Sequence, residues 1–170
     1  MLKRAIAIVI IIMLSAPLLV ASADIEEVAA PGARTLSGKI VCIDPGHGGS
    51  DTGTTGLDGA GYPDEKDHNL DMGIYLKGLL LERGATVVMT RESDIDVSLG
   101  DRCTIANDAG ADIFLSIHCN WISNPEIQGT ETFYWGVDGS TYSINGKRLA
   151  EDVQEELVGQ LGTNDRGAIM

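Results

Sequence analysis

The 170-residue sequence predicts an α/β fold, a three-layer sandwich in which a twisted, mostly parallel sheet is flanked by helices. Short β-branched runs alternate with stretches of helical period along most of the chain. Glycines stand where each helix should end, as a C-terminal glycine does. Nothing in the sequence repeats, and no low-complexity tract is visible.

The elements follow in order. Lys39-Ile-Val-Cys-Ile-Asp44 is a β-branched run halted by Pro45-Gly46, which predicts a strand. From Gly46 to Gly61 the chain is dense in glycine and carries no core stripe, so it reads as a long loop of the kind that carries function. Met72, Leu76, Leu79 and Leu80 fall at i, i+4, i+7 and i+8, with Leu70, Ile74 and Leu81 expected to widen the face, and Gly84 ends this helix. Ala85 to Thr90 is the next strand. A second helix covers about Leu99 to Ala109, stops at Gly110 and delivers the chain into a strand from Asp112 to His118. Gly129 to Trp135 supplies another strand, and Leu149, Val153, Leu157 and Leu161 mark a last amphipathic helix. Glu151, Asp152, Glu155 and Glu156 read as its solvated face.

The amino terminus has a different character. Lys3 and Arg4 precede sixteen residues of apolar character, Ala5 to Val20, and Ala21-Ser22-Ala23 offers the small-x-small pattern of a cleavage site. That run is shorter than the roughly 20 residues a membrane span needs. Residues 1–23 are therefore expected to be a cleaved signal peptide and 24–38 a linker, with a single domain over 39–170 that is secreted and makes no stable membrane insertion. Loss of the leader moves the formal charge from −13 to −15, because only Lys3 and Arg4 are charged within it. Such an acidic domain repels nucleic acid and anionic lipid. Cys42, Cys103 and Cys119 are odd in number and fit neither a disulfide framework nor a cysteine zinc site, so free thiols are expected.

In open α/β sheets the sites lie at the carboxyl ends of strands. His47 follows the first strand of the domain, His118 closes the third, and Glu65 stands at the start of the long helix, where the helix dipole favours a carboxylate. Two imidazoles and a carboxylate form the His₂Glu set of a catalytic zinc site, which keeps a position open for water and lowers its pKa to about 7. By spacing alone, a histidine at a strand end is more often a polar core or surface residue.

Six landmarks raise this reading. Asp44-Pro-Gly-His-Gly-Gly49, Glu65-Lys-Asp-His-Asn-Leu70, Thr90-Arg91, Leu99 with Arg102 and Ala106-Asn107, Ser116-Ile-His-Cys-Asn120 and Gly129-Thr-Glu-Thr-Phe-Tyr134 occur in this order. Together they resemble the zinc-dependent N-acetylmuramoyl-L-alanine amidases, type 3, over about Lys39 to Gly167. The resemblance implies a phosphorylase/hydrolase-like α/β sandwich, one Zn²⁺ held by His47, Glu65 and His118, and peptidoglycan as substrate. The bond cut would join the lactyl group of N-acetylmuramic acid to L-alanine.

The family also carries a second glutamate on a late apolar strand, thought to act as general base. The chain has no such segment before Met170, so the base, the last strand and the last helix are expected beyond it, and no catalytic base is assigned. Glu131 matches a different family strand and is not expected to replace it. Loss of a positioned base costs on the order of 10²- to 10⁴-fold in rate, so a non-catalytic zinc- or peptidoglycan-binding module is the rival expectation.

Asp44, Ser116 and Asn120 are candidates to support the ligands or touch substrate; capping of a turn or strand is the plainer role for Asp44 and Ser116. Arg91, Arg102 and Asn107 are expected to make buried hydrogen bonds between helix and sheet. His68 reads as an ordinary helix histidine and Cys119 as a non-ligand. Trp121 and Trp135 are placed to stack on a sugar or peptide, or else to pack half-buried.

Overall fold

A computed structural model describes residues 6–13, 35–55, 63–120, 126–135 and 141–170. Its elements are β1 (Ile6–Met13), β2 (Ile40–Pro45), α1 (Glu65–Glu82), β3 (Thr86–Met89), α2 (Leu99–Asp108), β4 (Ile113–His118), β5 (Gly129–Tyr134), α3 (Thr141–Leu161) and β6 (Asp165–Ile169). One six-stranded sheet has the order β3-β2-β4-β1-β5-β6, and every neighbouring pair is parallel except β1 with β5. The mostly parallel sheet predicted from the alternation is the one observed.

β2 is buried from Val41 to Pro45 because helices lie on both of its faces, which is why its sequence is a near-continuous apolar run. On one face Val41 and Ile43 join Ala85, Met89 and Ile117 beneath Met72, Leu76 and Leu80 of α1. On the other, Cys42 and Phe114 pack with Ala106 and Ala111 near α2. Ser98 caps α2 by accepting the Asp101 N–H at 3.1 Å. Gly84 and Gly110 take φ of +84° and +65°, the left-handed conformation that closes each helix.

The structure departs from the sequence reading at several points. The apolar stripe of α1 is narrower than expected, since Ile74, Leu79 and Leu81 are 43–49% exposed. Its inward side instead carries Glu65, Asn69 and Gly73, one per turn. α3 runs from Thr141 to Leu161, and its expected solvated face, Glu151, Asp152, Glu155 and Glu156, is exposed. No strand was expected between the last helix and Met170, but Asp165–Ile169 is one: it pairs with β5, and Gln154 Nε2 of α3 ties Asp165 Oδ1 (2.6 Å) to the Thr130 carbonyl (2.7 Å).

Part of the apolar leader is also in the sheet. Ile6–Met13 lies between β4 and β5, with Ile11 in register with His118 on one side and with Glu131 on the other. The expected cleavage site at Ala21–Ala23 and most of the linker fall outside the described residues. Among the described residues no helix is long and apolar enough to cross a membrane.

Candidate metal centre

Three elements bring the expected ligands together at the carboxyl edge of the sheet. His47 sits two residues beyond β2, His118 is the last residue of β4, and Glu65 is the first residue of α1. His47 Nε2 lies 3.2 Å from Glu65 Oε1 and 3.2 Å from His118 Nδ1, and the last side of the triangle, His118 Nδ1 to Glu65 Oε1, is 3.1 Å. Ligands at zinc's usual 2.0–2.1 Å in tetrahedral geometry stand roughly 3.3 Å from one another, so the triangle has the size such an ion requires. The residues present fit the metal. Among the described residues these three alone form such a cluster.

Local chemistry sets each of them. His47 has φ +61°, a left-handed conformation uncommon for a residue with a side chain, and is held in it by the loop around it. Its carbonyl accepts a hydrogen bond from Arg102 Nη2 at 2.8 Å, and its Nδ1 is 2.9 Å from Asp51 Oδ2. Gly46 must be glycine for a steric reason, because a Cβ there would overlap the His118 ring. Glu65 is 3% exposed. Burial pushes its carboxyl up, but the His118 hydrogen bond, the N–H groups of Thr54 and Cys119 and the field of His47 outweigh burial and hold it at about 2. A group so held is an anion at neutral pH, the state a ligand needs.

Asn69, one turn along α1, donates from Nδ2 to Glu65 Oε1 (3.4 Å) and to the Gly46 carbonyl (3.3 Å). Burial pushes the Cys119 thiol up to about 12, with Glu65 adding to the effect, in keeping with a protonated thiol rather than a ligand.

The supporting residues differ from those expected. Asp44 accepts hydrogen bonds from Thr90 Oγ1 (2.6 Å), Arg102 Nη1 (2.6 Å) and Ser116 Oγ (2.8 Å), a buried hub that joins β2, β4 and α2 behind the ligands rather than touching them. Arg91 and Arg102 make the expected buried bonds: both reach the Pro45 carbonyl at 2.9 Å, and Arg91 Nη2 also holds the carbonyls of Gly46 and Lys66. Asn120 is half-buried, one residue past the Cys119 amide that binds Glu65. His68 is exposed on α1, Trp135 is 66% exposed, and Trp121 lies outside the described residues.

Sequence reasoning missed the loop clamps. Asp94 Oδ1 and Asp96 Oδ1 accept from the N–H groups of Gly49 and Ser50, and Lys66 Nζ bridges Asp94 and the Gly49 carbonyl, fastening the glycine-rich loop to its neighbour. These partners lie 45 or more residues away or on another element, so no local pattern betrays them. Asp51 was closer to view, four residues after His47 in the same loop. A pocket of 540 Å³ is lined by His47 and His118 together with Val97, Leu99, Cys103 and Phe114.

A parallel-rich α/β sandwich with a His₂Glu cluster at the strand ends defines a class of metal-dependent hydrolase folds. The sequence profile of Amidase_3, N-acetylmuramoyl-L-alanine amidase, matches residues 41–169, and the chain belongs to that family. It is 42% identical over 130 residues to N-acetylmuramoyl-L-alanine amidase LytC of Bacillus subtilis, covering 76% of this chain and 25% of that protein. To the germination-specific N-acetylmuramoyl-L-alanine amidase of the same organism it is 36% identical over 152 residues, covering 81% of this chain and 60% of that one. The chain thus spans a quarter to three fifths of the length of these two relatives. Among solved structures it resembles the amidase AmiC2 of Nostoc punctiforme, with TM-score 0.66, 37% identity and coverage of 78% and 69% of the two chains. It also resembles an N-acetylmuramoyl-L-alanine amidase from Clostridium difficile 630, with TM-score 0.67, 35% identity and coverage of 79% and 70%.

Proposed function

We propose that the chain hydrolyses the amide between N-acetylmuramic acid and L-alanine in peptidoglycan, with one zinc held by His47 Nε2, Glu65 Oε1 and His118 Nδ1. The observation that carries the proposal is the triangle of ligand atoms with sides of 3.1–3.2 Å, in a chain of this family. Bound zinc supplies Lewis acidity, the means of activating water against an amide carbonyl at neutral pH. The chain's own residues supply the rest: Glu65 is buried and anionic, while the His47 and His118 side chains remain 22% and 25% exposed toward the pocket that would receive substrate. The Asp44 hub and the two buried arginines keep the loop that carries His47 from shifting.

A second reading, a peptidoglycan- or zinc-binding module without turnover, draws on Glu131. Ile11 is in register with both His118 and Glu131, which puts that carboxylate's residue in the row of His118, two strands away. The side chain is committed elsewhere, to Arg166 Nε at 3.1 Å, and is buried. It is not offered to the triad as a base.

Zinc content of the full chain, with His47→Ala and His118→Ala beside it, separates these readings when peptide release from purified peptidoglycan is followed in the same samples. One zinc, lost in both variants, with release that is lost alongside it, supports the amidase. The same zinc without release supports the binding module, and folded protein without zinc sinks the metal assignment. The site of action is proposed to lie outside the cytoplasmic membrane; cleavage of residues 1–23 would remove β1 from between β4 and β5, so the cleaved chain would have to close its sheet without that strand. Amino-terminal sequencing of exported protein tests that cleavage: a terminus at Asp24 supports it, and an intact Met1 opposes it.

A further inference from the structure

We infer that Arg91 is a positioning residue that sets the spacing of the metal centre: one of its nitrogens ties the backbone beside His47 to the backbone beside Glu65. What this means for zinc rests on the metal centre proposed above, whereas the hydrogen bonds belong to the metal-free chain.

Arg91 lies two residues past β3 and is 2% exposed. Its guanidinium is planar and presents five N–H donors in a rigid fork. The two hydrogens of Nη2 go to two different segments, to the Gly46 carbonyl at 2.9 Å and to the Lys66 carbonyl at 2.7 Å. Gly46 immediately precedes His47, and Lys66 immediately follows Glu65. The two carbonyls meet on a single atom, so the segments that carry these ligands cannot move apart without breaking one of the bonds. Nε and Nη1 hold the fork itself in place, by donating to the carbonyls of Pro45 at 2.9 Å and Ser93 at 3.3 Å.

The third ligand joins through the same glycine. Gly46 N–H donates to the Ile117 carbonyl at 3.0 Å, one residue before His118. Gly46 is thus bonded to the strand of His118 through its nitrogen and to Arg91 through its oxygen. The loop after His47 also rests on the arginine, since a Cβ at Gly48 would lie 3.0 Å from Arg91 Cδ and Nε. All four acceptors of Arg91 are backbone carbonyls, whereas Arg102 has the Asp44 carboxylate. What Arg91 contributes is therefore geometry, and a lysine of the same charge has no planar fork with which to supply it.

The experiment uses the full chain as wild type, Arg91→Lys and Arg91→Ala. Amide hydrogen exchange in metal-free protein reads the tied segments at Gly46 and at Lys66, whose N–H donates to the Thr52 carbonyl at 3.2 Å. Thr130, bonded to the Asn164 carbonyl on the other side of the sheet, is the control. Competition with a chromophoric chelator reads zinc affinity, and thermal melts read the fold. Expected in Arg91→Lys are faster exchange at Gly46 and Lys66 with Thr130 unchanged, and a fall in zinc affinity of about 10- to 100-fold. Guanidinium ion at a concentration that does not denature should return part of the affinity to Arg91→Ala, and methylammonium should not. Wild-type exchange and affinity in Arg91→Lys, or losses that only track the melt, overturn the inference. If neither variant folds, the ¹⁵N spectrum of the wild-type guanidinium decides: Nη2 hydrogens that rotate and exchange freely overturn the inference, and hindered ones support it. If the wild type binds no zinc but the two amides loosen in Arg91→Lys, the metal reading fails and the positioning role stands.

Discussion

Asp44 and Arg102 form a buried ion pair, with Oδ1 2.6 Å from Nη1 and both side chains less than a tenth exposed. The same guanidinium reaches the carbonyls of Pro45 and His47, so one residue of α2 supports the loop that begins the metal centre. Truncating Asp44 to alanine leaves that guanidinium buried without its anion, which costs about 3 to 5 kcal/mol. Urea unfolding at pH 7 should show the loss, and an unchanged midpoint would remove the hub from the account.

Gly46 makes a second prediction, one for stability and binding together. Gly46→Ala drives a methyl group into the His118 ring, so the ring must turn its Nδ1 out of the triangle. Overpacking of this kind costs about 1 to 3 kcal/mol. Zinc affinity should fall as well, about 10- to 100-fold, as when a ligand loses its orientation. Chelator competition and a melt on the same sample give both numbers, and wild-type affinity would show that the ring has room.

The buried Glu65 gives the metal-free chain a pH dependence of known sign. Its carboxyl is held at about 2 in the folded state against an ordinary 4.5, so its contribution is complete above pH 4.5 and is lost as pH falls from there toward 2. The size is on the order of 3 kcal/mol, from 1.36 kcal/mol per unit. Urea midpoints in the presence of a chelator at pH 7, 4.5 and 2.5 should therefore decline, and should decline less in Glu65→Gln. Parallel curves for the two proteins would assign the acid sensitivity elsewhere.

β1 can be tested through its backbone. Ile10 lies in the middle of the sheet, in register with Ile117 and Thr132, and a proline there removes a ladder N–H where no edge exposes it to water. Ile10→Pro should destabilise the full chain by on the order of 2 kcal/mol or more. Melts of uncleaved protein decide this, and an unchanged Tm would mean that the sheet folds without Ile6–Met13.

Much of this architecture is legible in the residues. β2 and β4 are short β-branched runs, and burial on both faces demands no more of a strand. The helix ends at Gly84 and Gly110 are local chemistry, because only a residue without Cβ takes the left-handed conformation without cost. α1 was harder to read, since its inward side carries Glu65 and Asn69, while periodicity widened the apolar face to Ile74 and Leu81, which are exposed.

By itself the sequence determined the run of strands and helices from β2 to α3 and, through the order of its motifs, the family, while the same resemblance named three candidate ligands. Only the tertiary structure decided that Asp44 serves Arg102 and Ser116 rather than a ligand and that Asp51 is hydrogen-bonded to His47. It alone placed Asp165–Ile169 at the sheet edge and Ile6–Met13 at its centre. Those outcomes depend on which donor meets which acceptor across the fold, and a hydrogen-bond partner is set by position in space, which spacing along the chain does not encode.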